Sequence, residues 1–321
     1  MRRCAFRYLA PALCACGLLL ACQVAAGPLA STEYSAAHDL PGPAPVAARH
    51  QGGLYRISGH GRVAYLFGTV HVGNSSFYPM APDAERALGA ADHVVVELDT
   101  RKNDDFLHAL DKHGRYAPGD DITLHISPDT AQRLRAALHG EGVSMASMAN
   151  FKPWLVANLL LSMTLERQGY SRSEGVDSAL LAQAQRRRTR VAQLESAEFQ
   201  LALFDSMSPA EAERYLRETL GGLLDGSIVR QARRAIEAWR SGDAAALQAV
   251  LHEATTGGSE TADFTRRQLL GRRNPDMAAR IDRLMGEGGV LFVGVGLLHL
   301  LGDNGLPQLL AQRGYLVERV Y

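Results

Sequence analysis

The sequence predicts an α/β fold: a central mixed, largely parallel sheet formed by N- and C-terminal strands, with a large helical insertion at about residues 128–285. Two observations predict this fold. Short apolar runs that end in polar residues occur near both ends of the chain, as buried strands of a parallel sheet do. Apolar residues at helical spacing fill the middle. The 321 residues, 46% of them hydrophobic and 21% charged, suffice for one large domain and exclude a mainly disordered chain.

The first predicted elements form a strand pair followed by a βαβ pattern. Apolar runs at 54–57 and 63–67 are joined by a turn-rich Ser-Gly-His-Gly segment. A helix at about 81–90 and a strand at 94–96 follow, and this spacing favours parallel strands. We expect further strands at 190–194, 290–293 and 315–320, and helices at 129–139, 150–168, 177–188, over 208–285 and near Pro307.

Residues 1–21 have the pattern of a secretory signal peptide, with a basic start, a short apolar run and small residues after it. The tetrapeptide Leu19-Leu20-Ala21-Cys22 resembles a bacterial lipobox, in which the cysteine carries lipid. The small residues at 24–26 resemble an ordinary cleavage site, which would release a soluble protein. We therefore expect an exported protein, either a periplasmic or outer-membrane lipoprotein tethered through Cys22 or a secreted protein.

The chain after the signal divides into a flexible linker at 22–52, rich in Pro, Ala and Ser, and a folded domain at 53–321. All four cysteines lie in the first 22 residues, so the folded domain has no disulfide, thiolate metal site or cysteine nucleophile. The 34 Lys and Arg residues balance the 34 Asp and Glu residues, so we expect no nucleic-acid partner.

A repeated motif indicates a candidate functional site. An apolar strand is followed by Gly-x-x-His at 68–71 and again at 296–299. Glu97 and Glu195 also directly follow short strands. Because ligands of open α/β sheets bind beyond the carboxyl ends of the strands, we expect His71, His299 and both carboxylates to share one crevice. Two imidazoles and two carboxylates suit Zn²⁺, Mn²⁺ or Co²⁺.

Each of the acidic candidates has a simpler interpretation. Glu97 could cap a helix or lie on the surface, and Glu195 could cap the helix that begins near Ala197. Asp177 could be the N-cap of the helix that follows it, or could support the site.

The segment around Arg273 also allows two interpretations. Its guanidinium could clamp a substrate carboxylate or stabilise an oxyanion. Alternatively it belongs to a solvated helix end, with Asn274 as the N-cap of a helix that starts at Pro275.

The chain resembles the TraB/PrgY/GumN family, which is related to the Tiki proteins, over about residues 54–321. The resembling segments are LFGTVHVG at 66–73, VVVELD at 94–99, GVD at 175–177, LES at 194–196 with Gln200, AWRSGD at 238–243, Arg273-Asn274, and VGVGLLHLLG at 293–302. The resemblance implies a metal-dependent hydrolase or peptidase-like protein in which His71, Glu97 and His299 form the site. Ser196 departs from the threonine that is more usual in the family.

Three functional hypotheses follow. In the first, His71 and His299 bind a divalent metal ion for hydrolysis of a peptide or protein. Glu97 is either a third ligand or the general base, and Glu195 orients a metal ligand or the substrate. In the second, hydrolysis is metal-free, with His71 as general base and Glu97 orienting it. In the third, the crevice captures a peptide or glycan without catalysis. Arg273 completes the set of candidate catalytic residues with Glu97, His71 and Glu195.

Overall fold

A computed structural model describes residues 50–101 and 103–321 of the chain. The predicted signal peptide, Cys22 and most of the predicted linker lie outside the described residues. Within residues 50–101 and 103–321, no helix combines the length and the apolar character needed to cross a membrane.

Six strands form one sheet in the order β4-β3-β5-β2-β1-β6. Their bounds are β1 (Leu54–Gly59), β2 (Arg62–Thr69), β3 (His93–Val96), β4 (Arg190–Gln193), β5 (Leu291–Gly296) and β6 (Leu316–Arg319). The four strands from β4 to β2 are parallel, whereas β1 is antiparallel to both β2 and β6. The predicted mixed, largely parallel sheet is therefore confirmed.

The order of the strands differs from the chain order in one informative place. The predicted βαβ unit of β2, helix and β3 is present, but the C-terminal strand β5 lies between its two strands and is parallel to both. Every residue of β5 except its last is buried, as a central strand with both faces covered requires. The two ends of the chain therefore build the centre of the sheet together.

Helices cover the sheet and form a separate layer beside it. Their bounds are α1 (Pro82–Ala90), α2 (Asn103–Gly114), α3 (Pro128–Gly140), α4 (Met145–Met148), α5 (Pro153–Arg167), α6 (Val176–Arg187), α7 (Ala197–Asp205), α8 (Pro209–Leu224), α9 (Ser227–Ser241), α10 (Ala244–Thr255), α11 (Glu260–Phe264), α12 (Arg273–Gly286) and α13 (Leu306–Gln312). A π-helix, Thr265–Arg272, joins α11 to α12, and short 3₁₀ helices lie at Ser75–Phe77, Ile122–Leu124 and Leu297–Leu300. Strand β4 interrupts the predicted insertion, so the helices fall into runs before and after it.

Each face of the sheet has its own apolar core, and the helical layer has a third. Phe67 and Phe292 contribute to the core beneath α1 and α6, while Val293 packs against α12 and α13 on the other face. The helical layer packs around Trp154 and Phe204, whose ring centroids are 5.2 Å apart. These cores hold the strand ends in fixed positions.

The register of the central strands sets the position of the site. Thr69 at the end of β2 pairs with Gly296 at the end of β5, and Val96 at the end of β3 pairs with Gly294. The residues that directly follow these three strands therefore emerge at one edge of the sheet.

Candidate functional site

The residues predicted from the strand ends meet at the carboxyl edge of the sheet. His71 follows β2, Glu97 follows β3, Glu195 follows β4, and His299 lies on the 3₁₀ helix after β5. Arg273, the first residue of α12, joins them from the helical layer through its contacts with both carboxylates. A cavity of about 650 Å³ opens at this edge, with His71, Arg273 and His299 in its wall.

His71 is held by a carboxylate. Its Nδ1 lies 2.7 Å from Oδ2 of Asp177, and the Thr69 hydroxyl donates to the other oxygen of Asp177 at 2.8 Å. An ionised carboxylate only accepts hydrogen bonds, so Nδ1 carries a proton and Nε2 is directed away from Asp177. Burial disfavours the imidazolium, but the charge and hydrogen bond of Asp177 together with the charge of Glu97 outweigh that effect and raise the pKa of His71.

His299 is held by an amide instead. Its Nδ1 lies 2.5 Å from Oδ1 of Asn274, and the amide nitrogen of Asn274 donates to the Asn304 carbonyl at 2.6 Å. The Asn304 carbonyl fixes the orientation of the amide, so Nδ1 of His299 is the donor and Nε2 has a free lone pair. Burial is the largest influence on the pKa of His299, and with the nearby Arg273 cation it lowers that pKa to about 3.

A buried ion triad lies beneath the two histidines. The Arg273 guanidinium donates to Glu97 at 2.5 Å and to Glu195 at 2.7 Å, and all three side chains are at most 3% exposed. The second oxygen of Glu97 accepts the Gly296 N–H at 2.5 Å. Burial alone would raise the pKa of Glu97, but the Arg273 cation, the two histidines and the Gly296 N–H together outweigh it and lower the pKa to about 2. Glu97 is therefore a carboxylate at neutral pH.

One nitrogen of Arg273 is left for a ligand. Nε and Nη2 make its hydrogen bonds to the two carboxylates, while Nη1 has no hydrogen-bond partner among the described residues. Arg273 lines the cavity, and Nη1 is not among the fully enclosed atoms. The π-helix that precedes Arg273 ends at the site, a position where such helices recur in proteins.

Glycine is required in the two Gly-x-x-His motifs for different reasons. A Cβ on Gly296 would lie 3.1 Å from Oε1 of Glu97 and 3.4 Å from Nε2 of His71, so glycine keeps open the space between these polar atoms. A Cβ on Gly68 would lie 2.2 Å from the carbonyl oxygen of Gly52. The Gly68 carbonyl also accepts a hydrogen bond from the Trp239 indole at 2.8 Å, which anchors the end of β2.

The imidazole nitrogens and the carboxylate oxygen at the site are atoms that bind divalent ions, and one pair of them lies at a suitable distance. Oε1 of Glu97 and Nε2 of His299 are 3.6 Å apart. Two ligand atoms that bind one tetrahedral ion at about 2.0–2.2 Å lie roughly 3.3–3.6 Å apart. Nε2 of His71 faces the same space. Among residues 50–101 and 103–321, no three His, Cys, Asp or Glu side chains are already arranged around a common point as metal ligands.

Two of the simpler interpretations are wrong, and the geometry shows why. Glu97 is fully buried rather than on the surface. Glu195 does not cap α7, because Ser196 is its N-cap, and Glu195 instead accepts hydrogen bonds from Arg273 and Gln200.

Asp177 and Asn274 are not N-caps either. The backbone of Gly175 is the N-cap of α6, which leaves Asp177 in the first turn with its carboxylate on His71. Helix α12 begins at Arg273, so Asn274 lies inside it and its amide reaches His299. Both residues belong to segments that resemble the family, GVD and Arg-Asn. Helix capping was a sufficient local explanation for each of them, so the local pattern did not indicate a partner far along the chain.

Other supporting residues were not anticipated. Thr69 orients Asp177, the Asn304 carbonyl orients Asn274, and Trp239 anchors β2. Their partners lie between 30 and 171 positions away in the sequence, so only the folded chain brings them together.

The cavity wall opposite the sheet is mainly apolar and comes from the helical layer. It includes Leu161 and Leu165 of α5, Ala232 and Ala235 of α9, and Leu269 of the π-helix. The cavity thus combines the polar cluster at the strand ends with a largely apolar surface from the helical layer, which also carries three acidic side chains.

The fold and the site together define an α/β protein with a buried His/Glu/Arg cluster at the ends of its parallel strands. The model of the TraB/PrgY/gumN family matches residues 53–319, and the chain belongs to this family. It is 24% identical over 258 residues to an uncharacterized protein, YbaP, of Shigella flexneri, covering 78% of this chain and 88% of that protein. It is also 24% identical over 255 residues to the YbaP protein of Escherichia coli K12, covering 77% and 87% of the two chains. No solved structure matches significantly.

Proposed function

We propose that the protein is a metal-dependent hydrolase that cleaves peptide bonds. One observation carries the proposal: two imidazoles with their Nδ1 atoms held by oxygen acceptors present Nε2 beside a buried carboxylate, in the wall of a 650 Å³ cavity. This arrangement leaves the nitrogen lone pairs beside Oε1 of Glu97. Metal-binding histidines are usually held in this way through the second ring nitrogen.

Glu97, His299 and His71 are the residues that would hold the ion. The neutral state of His299 and the ionised state of Glu97 are the protonation states that a ligand requires. A divalent ion bound there would supply Lewis-acid polarisation of the scissile carbonyl. The chain offers Zn²⁺, Mn²⁺ or Co²⁺ nitrogen and carboxylate donors, which all three accept.

Arg273 would act on the substrate directly. Its Nη1 faces the cavity, so it can donate to the carbonyl oxygen on which negative charge develops in the transition state. Glu195 and Glu97 hold the other nitrogens, so the guanidinium is fixed before substrate arrives. Glu195 is in this mechanism a positioning residue.

A second candidate function, metal-free hydrolysis, is favoured by the contact between His71 and Asp177. A carboxylate on Nδ1 orients the imidazole and raises its pKa, which suits a general base that accepts a proton at Nε2 near neutral pH. In this mechanism Arg273 keeps the same role.

The test combines metal analysis with peptide digestion. We expect the protein, purified without a His-tag and reconstituted with Zn²⁺, Mn²⁺ or Co²⁺, to bind about one equivalent and to cleave members of a peptide library detected by mass spectrometry. His71→Ala, His299→Ala and Glu97→Gln should abolish cleavage. His252→Ala is the matched control, because His252 is exposed on α10 away from the cavity and should retain full activity.

The outcomes separate the alternatives. Cleavage that a chelator removes and one of the three ions restores supports the proposal. Cleavage that resists the chelator but is lost in His71→Ala supports the metal-free mechanism. Peptide binding without products under every condition contradicts hydrolysis and indicates capture. Unfolding midpoints of each variant show whether a loss of cleavage reflects a loss of fold.

A further inference from the structure

The apolar face of α9 lines the cavity and is only partly covered by the apolar cores around it. Ile228, Ala232, Ala235 and Ile236 recur at helical spacing and all line the cavity. Of these four, only Ile236 is fully buried. An apolar helix face is stable when another surface covers it, so a ligand of aliphatic character suits this wall.

The volume of the cavity and its connection to the polar cluster indicate what kind of molecule would cover the apolar face of α9. The same cavity includes His71, Arg273 and His299, so whatever contacts α9 also reaches the polar cluster. Its volume of about 650 Å³ is in the range of cavities that bind small ligands, about 300–1,000 Å³. Small side chains on α9 create much of the space, because Ala232 and Ala235 stand where larger residues would fill it.

A polar side chain of α9 favours a peptide over a lipid chain. Gln231 lines the cavity, and its side chain makes no hydrogen bond to other residues in the described part of the chain. Its amide can therefore pair with main-chain amides, which a peptide has and a fatty acyl chain lacks. Ser227 lines the cavity too, but its hydroxyl already donates to the Asp225 carboxylate.

We infer that this cavity selects peptides with aliphatic side chains next to the scissile bond, and that Ala232 and Ala235 determine the size accepted. The inference rests on the proposed function for the position of the scissile bond. An aliphatic side chain that enters the cavity contacts Leu165 and Leu269 opposite α9. A serine in its place would bury far less apolar surface against these side chains.

The test measures binding separately from cleavage. Two fluorescein-labelled hexapeptides differ only in their central pair, Leu-Leu or Ser-Ser, and their affinity for the mature chain is measured by fluorescence anisotropy. We expect the Leu-Leu peptide to bind at least tenfold more tightly. Ala232→Phe and Ala235→Phe should weaken its binding at least tenfold, whereas Ala249→Phe, exposed on α10 outside the cavity, should not.

Each outcome distinguishes this inference from the proposed function. Tighter binding of the Leu-Leu peptide that the two α9 variants weaken supports the inference, even if neither peptide is cut. Equal binding of both peptides, no binding of either, or no effect of the α9 variants overturns it, even if a library digest shows cleavage. Displacement of the labelled peptide by decanoate at lower concentration than by the unlabelled peptide overturns the peptide assignment in favour of an acyl chain.

Discussion

The two Gly-x-x-His segments have the same pattern in the sequence but give their histidines opposite properties. His71 has a carboxylate on Nδ1 and a raised pKa, whereas His299 has an amide on Nδ1 and a pKa lowered to about 3. Both rings direct Nε2 toward the space beside Glu97. Burial disfavours the charged form of both rings, but the carboxylate of Asp177, on a helix distant in sequence, raises the pKa of His71, whereas the amide on His299 brings no such charge.

Because of this difference, the two histidines are suited to different chemical roles. A neutral histidine with a fixed lone pair is a permanent acceptor or ligand. A histidine paired with a carboxylate can gain and lose a proton near neutral pH. Three substitutions test this difference by removing in turn the cation that Glu97 and Glu195 share, the carboxylate that holds His71 and the amide that holds His299.

The largest effect is expected from the shared cation. Arg273→Leu leaves Glu97 and Glu195 buried without a counter-charge, because the guanidinium contacts both and all three side chains are almost fully buried. We expect a loss of about 3–5 kcal/mol in the free energy of unfolding, measured by urea denaturation. Arg272→Leu is the matched control, since Arg272 is exposed and its loss should cost about 0.5 kcal/mol or less. Equal losses in the two variants would contradict the role of Arg273.

A smaller effect is expected when His71 is made to resemble His299. Asp177→Asn removes the charge that raises the pKa of His71, so this pKa should fall. The measurement is an NMR titration of imidazole-labelled, metal-free protein. A raised histidine pKa adds stability below the unfolded-state value, and that stability is lost as the pH rises through the folded-state value. The stability difference between wild type and variant should therefore be greatest in mild acid and shrink toward alkaline pH.

The control for this titration is His299 itself. Its contacts do not include Asp177, so its pKa should stay low in Asp177→Asn. A variant in which the pKa of His71 does not fall would show that Asp177 does not set its charge.

The strand ends were predictable from the sequence because apolar runs and the polar residues that follow them are local patterns. His71, Glu97, Glu195 and His299 were found in this way, and the structure places them together with Arg273. The insertion of β5 between β2 and β3 was not predictable, because the order of strands depends on contacts more than 200 residues apart.

The supporting residues were harder to assign for a different reason. A polar residue in the first turn of a helix satisfies the capping pattern whatever its side chain contacts, so Asp177 and Asn274 each had a sufficient local explanation. Their real partners, His71 and His299, lie 106 and 25 positions away. The family resemblance contained both residues, and it carried more information about them than the helix pattern did.

The smallest effect is expected from the amide that holds His299. Asn274→Ala removes the acceptor of the Nδ1 proton and the donor to the Asn304 carbonyl, so the ring can rotate and its Nε2 lone pair is no longer fixed beside Glu97. If the proposed metal site is correct, affinity for Zn²⁺ should fall about 10–100-fold, as it does when the partners of metal-binding histidines are removed. Competition with a chromophoric chelator measures this change. Asn304→Ala is the matched control, because its contact with Asn274 is made by the main-chain carbonyl and survives the substitution. An unchanged affinity in Asn274→Ala would show that Zn²⁺ binding does not depend on how Asn274 holds His299, and would contradict His299 as a metal ligand oriented by this amide.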